Sequence, residues 1–321
     1  MIYPHLVTEW PKMPTAPLPP ELTVLPTIVA EPWFQIEAPR PRPTLEGSVF
    51  DRDGNLIVCY REHPWSQIIR ISPKRELEVV YRNENAVFTG AAVHRDGRIF
   101  VADLERGRIL VLGPDGTPER ELLEQYAQKQ IHPNDLAFDL QGNLYVSDFD
   151  GSWGNPAGGI YRIDAEGDYT QFHLVADKLN RPNGVAFSPD NTILWTSESV
   201  EGTVVRIVLD ASGQKRPLFL SCLATYRSSG FEPIDSCRCD SQGNVYQAFQ
   251  YGGRLLVLDS RGVPIGNVVV PDRGNGGCMS TPSLAIKPGT SEGYLIGSGP
   301  TGSWVFTFPA LAQAQVTFTD L

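Results

Sequence analysis

Six segments of this chain can be laid over one another, and that internal repeat constrains the fold more than any other feature. They are LEGSVFDRDGNLIVCY from Leu45, FTGAAVHRDGRIFVAD from Phe88, PNDLAFDLQGNLYVSD from Pro133, PNGVAFSPDNTILWTS from Pro182, IDSCRCDSQGNVYQAF from Ile234 and TPSLAIKPGTSEGYLIGS from Thr281. The first five align without a gap, and the last needs a small insertion in its turn. Each reads as a strand, a tight turn such as Asp53-Gly54 or Asp96-Gly97, and a second strand. Successive units are offset by 43 to 52 residues, leaving room for two more strands, as in GGIYRID followed by DYTQFHLVA. Four strands per ~45 residues is the signature of a propeller blade, and six units make six blades.

The expected fold is all-β: a six-bladed β-propeller of four-stranded antiparallel blades around a central channel. Closing the ring removes the sheet edges that an open stack would expose. The whole chain, 1–321, is expected to be one domain, with the proline-rich segment 1–40 extended over the ring. PERELLEQYAQKQ, residues 118–130, is the best helical candidate.

Composition narrows the function classes. A formal net charge of -10 argues against nucleic acid or an anionic membrane surface as partner. The sequence holds no apolar run of ~18 residues, and its N-terminus lacks the basic start and apolar core of a signal peptide. Five cysteines and no Asn-x-Ser/Thr sequon fit a reduced, cytoplasmic setting. Cys237 and Cys239 share one face of a strand and read as small core residues. GSGPTG, residues 297–302, matches a dinucleotide fingerprint literally but lies between strands with no following helix. Hence no nucleotide or organic cofactor is expected. A monomer or small homo-oligomer is expected, with no nucleic acid and no membrane partner.

The inner strand of each blade lines a propeller's channel, so one repeat position becomes one ring around it. The second position of the six units reads Glu46, Thr89, Asn134, Asn183, Asp235 and Pro282; the third reads Gly47, Gly90, Asp135, Gly184, Ser236 and Ser283. Two carboxylates facing each other across a narrow channel repel unless a cation lies between them. The donors are hard oxygens, which favours Ca2+, then Mg2+ or Mn2+, over a thiolate-type zinc site. Two carboxylates and two amides leave positions open for water and substrate, and an open site of this kind polarises a carbonyl or phosphoryl oxygen.

These same residues carry a resemblance. LEGSVFDRDGNLIV, PNDLAFDLQGNLYVSD, RPNGVAFSPDNTILW and DSCRCDSQGNVYQA resemble the SMP-30/gluconolactonase/LRE-like family of six-bladed propellers, from about Leu45 onward. DSCRCDSQGNVY and GGRLLVLDSRGVPIG are most similar to its drug-responsive lactonase branch. The resemblance implies hydrolysis of a small-molecule lactone with one divalent cation, usually Ca2+, with Mn2+, Mg2+ or Zn2+ as alternatives. It implies metal ligation by Glu46, Asn183 and Asp235, with Asn134 at the metal or the substrate and Ser236 beside it. It also implies a catalytic role for Asp235.

Lactone hydrolysis needs a polarised carbonyl, an activated water and a proton for the departing alkoxide. Asp235 is open to three roles: base, orienter of the water, or nucleophile. Loops 61–65, 131–133, 148–159 and 274–281 are expected at the channel mouth, where they would select the substrate. Trp65, Phe149, Trp153 and Met279 are candidates for an apolar wall, and Arg61, His63 and His132 for polar contacts. His132, two residues before Asn134, is the best placed of these. The alternative functions on the same pattern are phosphotriester hydrolysis and a non-catalytic calcium-binding propeller.

Overall fold

A computed structural model of the chain describes residues 18–37, 44–122, 125–218, 220–230 and 232–321. The hairpins of the repeat are the inner halves of six antiparallel sheets. Their inner strands are Thr44–Phe50, Phe88–Val93, Pro133–Phe138, Pro182–Phe187, Ile234–Cys239 and Leu284–Ile286, defining blades 1 to 6. Each inner strand packs against the next, and Leu284–Ile286 packs back on Thr44–Phe50, which closes the ring. The fold is the six-bladed propeller that the repeat predicts.

The turn chemistry explains why the hairpins recur. In blades 1, 3 and 5 the motif is Asp-x-x-Gly-Asn. Asp51, Asp139 and Asp240 each accept backbone N–H groups two and four residues on, at 2.8–3.0 Å. Each also accepts the Nδ2 of Asn55, Asn143 or Asn244 at 2.8 Å. The aspartate thus closes the turn on both sides, and the glycine supplies the left-handed residue.

Apolar side chains form six buried clusters among the described residues, one at each blade-to-blade interface. The core is therefore radial, and the channel is free to carry polar groups. Half of the third repeat column is glycine, for a steric reason. A Cβ on Gly47 would sit 2.6 Å from the Cα of Gly90, and one on Gly184 would sit 2.5 Å from the Cys237 nitrogen. Inner strands this close hold the second column in a tight ring.

Two features lie beyond the repeat. Blade 6 takes its outer strand, Glu31–Glu37, from the N-terminal segment, paired antiparallel with Gly302–Pro309. Upstream, Thr27–Val29 pairs in parallel with the outer strand of blade 5. Residues 1–17 and 38–40 of the proline-rich segment lie outside the described residues. At the other terminus, residues 310–321 cross the ring where the inner strands end. Gln313 accepts from Ser241 N at 2.8 Å, Gln315 Nε2 donates to Phe187 O at 3.1 Å, and the Thr319 hydroxyl donates to Val93 O. This strap floors the channel above a cavity of about 130 Å³. The second-column residues, at the start of the inner strands, face the opposite, open end.

The helix expected over 118–130 is not formed. Pro118–Leu122 is the outer strand of blade 2, paired with Arg108–Leu112, and 125–126 pairs with 129–130 in a small hairpin. Leu122 is buried between blades 2 and 3 while its upstream neighbours face outward. An edge offering ladder hydrogen bonds and a core slot outweighs the intrinsic helix preference of Glu, Leu and Gln.

Candidate functional site

Each second-column residue lies within two residues of the start of its inner strand, where the backbone leaves the mouth and enters the channel. Asn134, Asn183 and Asp235 are buried at 6%, 5% and 6% exposure, and Ser236 at 2%. Glu46 lies on the blade 1 inner strand, opposite Cys59.

The acids of the ring are shifted by burial and by their neighbours. Burial pushes the Glu46 carboxyl up to about 7; Arg61 opposes the shift and Asp135 adds to it. Burial likewise holds Asp235 well above the carboxylate range, with Glu46 and then Asp135 raising it further. The Asn183 side chain hydrogen-bonds Asp235, while its own Oδ1 is buried without a partner. Like charges packed this closely disfavour ionisation of both unless a cation is supplied. An orphan amide oxygen beside two carboxylates is the donor set a hard divalent cation takes. No cluster of three or more His, Cys, Asp or Glu suited to a metal occurs among the described residues. A site here therefore depends on amide and hydroxyl oxygens besides its two acids. Glu46, Asn134, Asn183 and Asp235, with Ser236, are the ring residues with oxygens to offer such an ion.

The structure adds two residues that the sequence reading did not single out. Asp135 is fully buried, and its carboxylate pairs with the Arg238 guanidinium at 2.8 Å. The same carboxylate accepts Val185 N at 3.2 Å, and Arg238 reaches Cys237 O at 2.7 Å and Ser48 O at 3.4 Å. The pair thus ties blades 1, 3, 4 and 5 together beside the acidic ring. Arg238 occupies the fifth repeat position, which is Val49, Ala92, Ala137, Ala186 and Ala285 elsewhere. One arginine in a column of alanine and valine was the available signal.

Mouth loops are held by a repeated device. The last residue of the second strand is acidic in blades 2, 3 and 4. Asp103 accepts Val87 N at 3.0 Å, Asp148 accepts His132 N at 2.8 Å, and Glu198 accepts Asn180 N at 2.8 Å. Lys129 reinforces Asp148 at 2.7 Å and reaches Asp150 at 3.1 Å. His132 is therefore fixed by its backbone just above Asn134, and its Nδ1 lies 3.4 Å from Leu104 O.

The remaining mouth candidates separate. Trp153 is 70% exposed in the loop after blade 3's second strand, while Met279 is only 2% exposed, its sulfur packed beside Gly253. Burial of that depth gives Met279 a packing role and leaves it little surface for substrate. Tyr251, outside the sequence-based set, feels the charges of Glu46, Asp235 and Arg61 and is 43% exposed. Trp65 is half-buried under the Arg82 guanidinium, 4.9 Å from its ring centroid. Cys237 and Cys239 are core residues, as their alternation predicts.

A ring of blades with buried acids and amides at one end of its channel defines a class, the oxygen-lined six-bladed propeller. The chain belongs to the SMP-30/gluconolactonase/LRE-like family, whose model matches residues 46–281. It is 30% identical over 311 residues to Lactonase drp35 of Staphylococcus saprophyticus, covering 94% of each chain. It is likewise 30% identical over 302 residues to Lactonase drp35 of Staphylococcus aureus, covering 92% of this chain and 91% of the other. Among solved structures it is similar to a calcium-binding protein, regucalcin, from Agrobacterium tumefaciens. That match has a TM-score of 0.71 at 16% identity and covers 92% of this chain and 99% of the other. A gluconolactonase from Xanthomonas campestris has a TM-score of 0.68 at 19% identity, covering 89% and 99%. These structural likenesses concern the fold.

Proposed function

We propose that the chain is a divalent-cation-dependent lactonase, with Ca2+ as the first-choice ion, and that Asp235 moves the proton. The observation that carries this reading is the buried Asp235 carboxyl, raised by burial and by the neighbouring Glu46 and Asp135, beside the unpartnered Asn183 oxygen. The 30% identity to Lactonase drp35 over nearly the whole chain supports the substrate class. A bound divalent cation supplies electrophilic assistance to an ester carbonyl and charge to offset a developing oxyanion. Glu46, Asn134 and Asn183 would hold the ion, with Ser236 beside them. Asp235 orients the attacking water and takes its proton as the water oxygen adds to the carbonyl carbon. It then returns that proton to the ring oxygen as the acyl C–O bond breaks, giving a hydroxy acid. His132 and Trp153 lie on the mouth loops, where they bear on which lactone enters.

The test is a panel of aliphatic, aromatic and sugar lactones assayed beside a phosphotriester, diisopropyl fluorophosphate, with Ca2+ present. Hydrolysis of at least one lactone class, faster than of the phosphotriester, is expected. Preference for the phosphotriester would move the activity to phosphoryl chemistry. Cation binding without hydrolysis of any substrate would leave a calcium-binding propeller.

A further inference from the structure

Three buried hydroxyls stand behind the ring in register with its donors. Thr89, on the inner strand of blade 2, donates to Asn134 O at 2.9 Å. Ser147, in the second strand of blade 3, accepts Asp135 N at 3.0 Å and donates to Asn183 O at 2.6 Å. Ser197, in the second strand of blade 4, accepts Gly184 N at 2.9 Å and donates to Asp235 O at 2.7 Å. Each hydroxyl thus receives from its own blade or stands on its inner strand, and binds the carbonyl of the next blade's second-column residue. All three are nearly or fully inaccessible. The amide of Asn183 is steadied as well: its Nδ2 lies 3.4 Å from Ser199 Oγ, which itself donates to Ile234 O at 2.7 Å.

What sets these three hydroxyls apart is what they hold: the carbonyls of Asn134, Asn183 and Asp235, three of the four amide or carboxylate residues of the ring. By strand pairing, with one extra turn residue in blade 4, the position of Ser147 and Ser197 is Cys59, Ala102, Ala248 and Ile296 in blades 1, 2, 5 and 6. Blades 1 and 5 precede Thr89 and Pro282, the two column residues with neither carboxylate nor amide. Blade 2 has alanine there but precedes Asn134, and its own Thr89 takes over the task. Buried hydroxyls join the other interfaces too, but there they meet other atoms: Ser66 donates to Ala86 O, Thr281 donates to Phe249 O, and Ser283 Oγ accepts Ser48 N.

We infer that Thr89, Ser147 and Ser197 are positioning residues, which set the spacing of Asn134, Asn183 and Asp235 for a divalent cation. A cation site needs its oxygens placed together, and the three belong to separate sheets with no covalent link nearby. A hydroxyl fixing the carbonyl of the same residue leaves its side chain few ways to drift. The hydroxyls act through backbone, not on the substrate. The inference rests on the reading that this ring binds a cation.

The test is calorimetric titration of Ca2+ into chelator-treated protein, with thermal stability measured on the same samples. Ser147→Ala and Ser197→Ala are expected to weaken Ca2+ binding about 10- to 100-fold, the range seen when groups behind a metal's ligands are removed. Ser303→Ala is the control, because Ser303 is also fully buried but pairs with Ser298 in blade 6, away from these carbonyls. It should bind Ca2+ within about twofold of the parent, whatever stability it loses. Thr89→Val keeps the side-chain shape and should weaken binding too, which gives a result even if a serine variant misfolds. Parental affinity in all three variants would overturn the inference while leaving the cation reading intact. A parent chain that binds no divalent cation would overturn both.

Discussion

Asp235→Asn is expected to lower lactone turnover by about 10³-fold, within the range that a lost acid–base group costs, with the fold retained. The substitution keeps the size of the side chain and one oxygen. It removes the ability to accept a proton from water and to return it to the departing oxygen. Retention of the fold follows from the bonding of residue 235. Its carbonyl is held by Ser197 and by Gln247 Nε2 at 2.8 Å, and neither contact involves the carboxylate. An amide also lacks the charge that Glu46 and Asp135 oppose in the buried ring, so the metal-free variant should be no less stable than the parent. Turnover at saturating Ca2+ separates the two tasks assigned to Asp235. If excess cation restores the variant to near parental turnover, Asp235 is a ligand only. If the loss persists when the site is filled, it carries the proton.

The largest stability effect is expected at Arg238. Asp135 is fully buried, and the Arg238 guanidinium is its partner at 2.8 Å. Arg238→Met fills similar space with apolar atoms but strands a buried carboxylate beside two others. Removing one member of a buried pair costs about 3–5 kcal/mol, and the neighbouring Glu46 and Asp235 place this case at the upper end. The double variant Arg238→Met with Asp135→Asn removes both charges and should recover most of that loss, because a neutral pair incurs no ionic desolvation penalty. Urea unfolding of chelator-treated protein measures both. A single-variant loss below about 1 kcal/mol, the ordinary value of an exposed pair, would show that the pair is solvated and braces nothing.

These two residues also show what a single sequence reveals and what it conceals. Asp235 was legible because the repeat supplies five internal controls: a carboxylate at a strand start means little alone, but it means more in line with Glu46, Asn134 and Asn183. The Asp-x-x-Gly-Asn turns were legible for the same reason, since their hydrogen bonds are local. Arg238 was present in the same alignment as an outlier among alanines, yet its meaning depends on Asp135, 103 residues away on the chain and across the channel. The supporting serines have ordinary composition for a strand, and only their distances to the next blade's carbonyls give them a role. Closure of blade 6 by Glu31–Glu37 joins segments from opposite ends of the chain, for which no periodicity exists to read. The helix expected over 118–130 failed in the opposite sense. Its local preference was real, but the edge of blade 2 and the slot for Leu122 offered more. Likewise Met279 read as a mouth residue because it lies in a loop, and burial against Gly253 was visible only in three dimensions.

The central claim is that the acidic ring holds one divalent cation on which lactone hydrolysis depends. Adding Ca2+ stepwise to chelator-treated protein while following hydrolysis of a reactive lactone tests it most directly. Turnover should fall to background on chelation and return in full at one cation per chain, with Glu46→Gln shifting the titration to higher Ca2+. Undiminished hydrolysis by the metal-free protein would contradict the account.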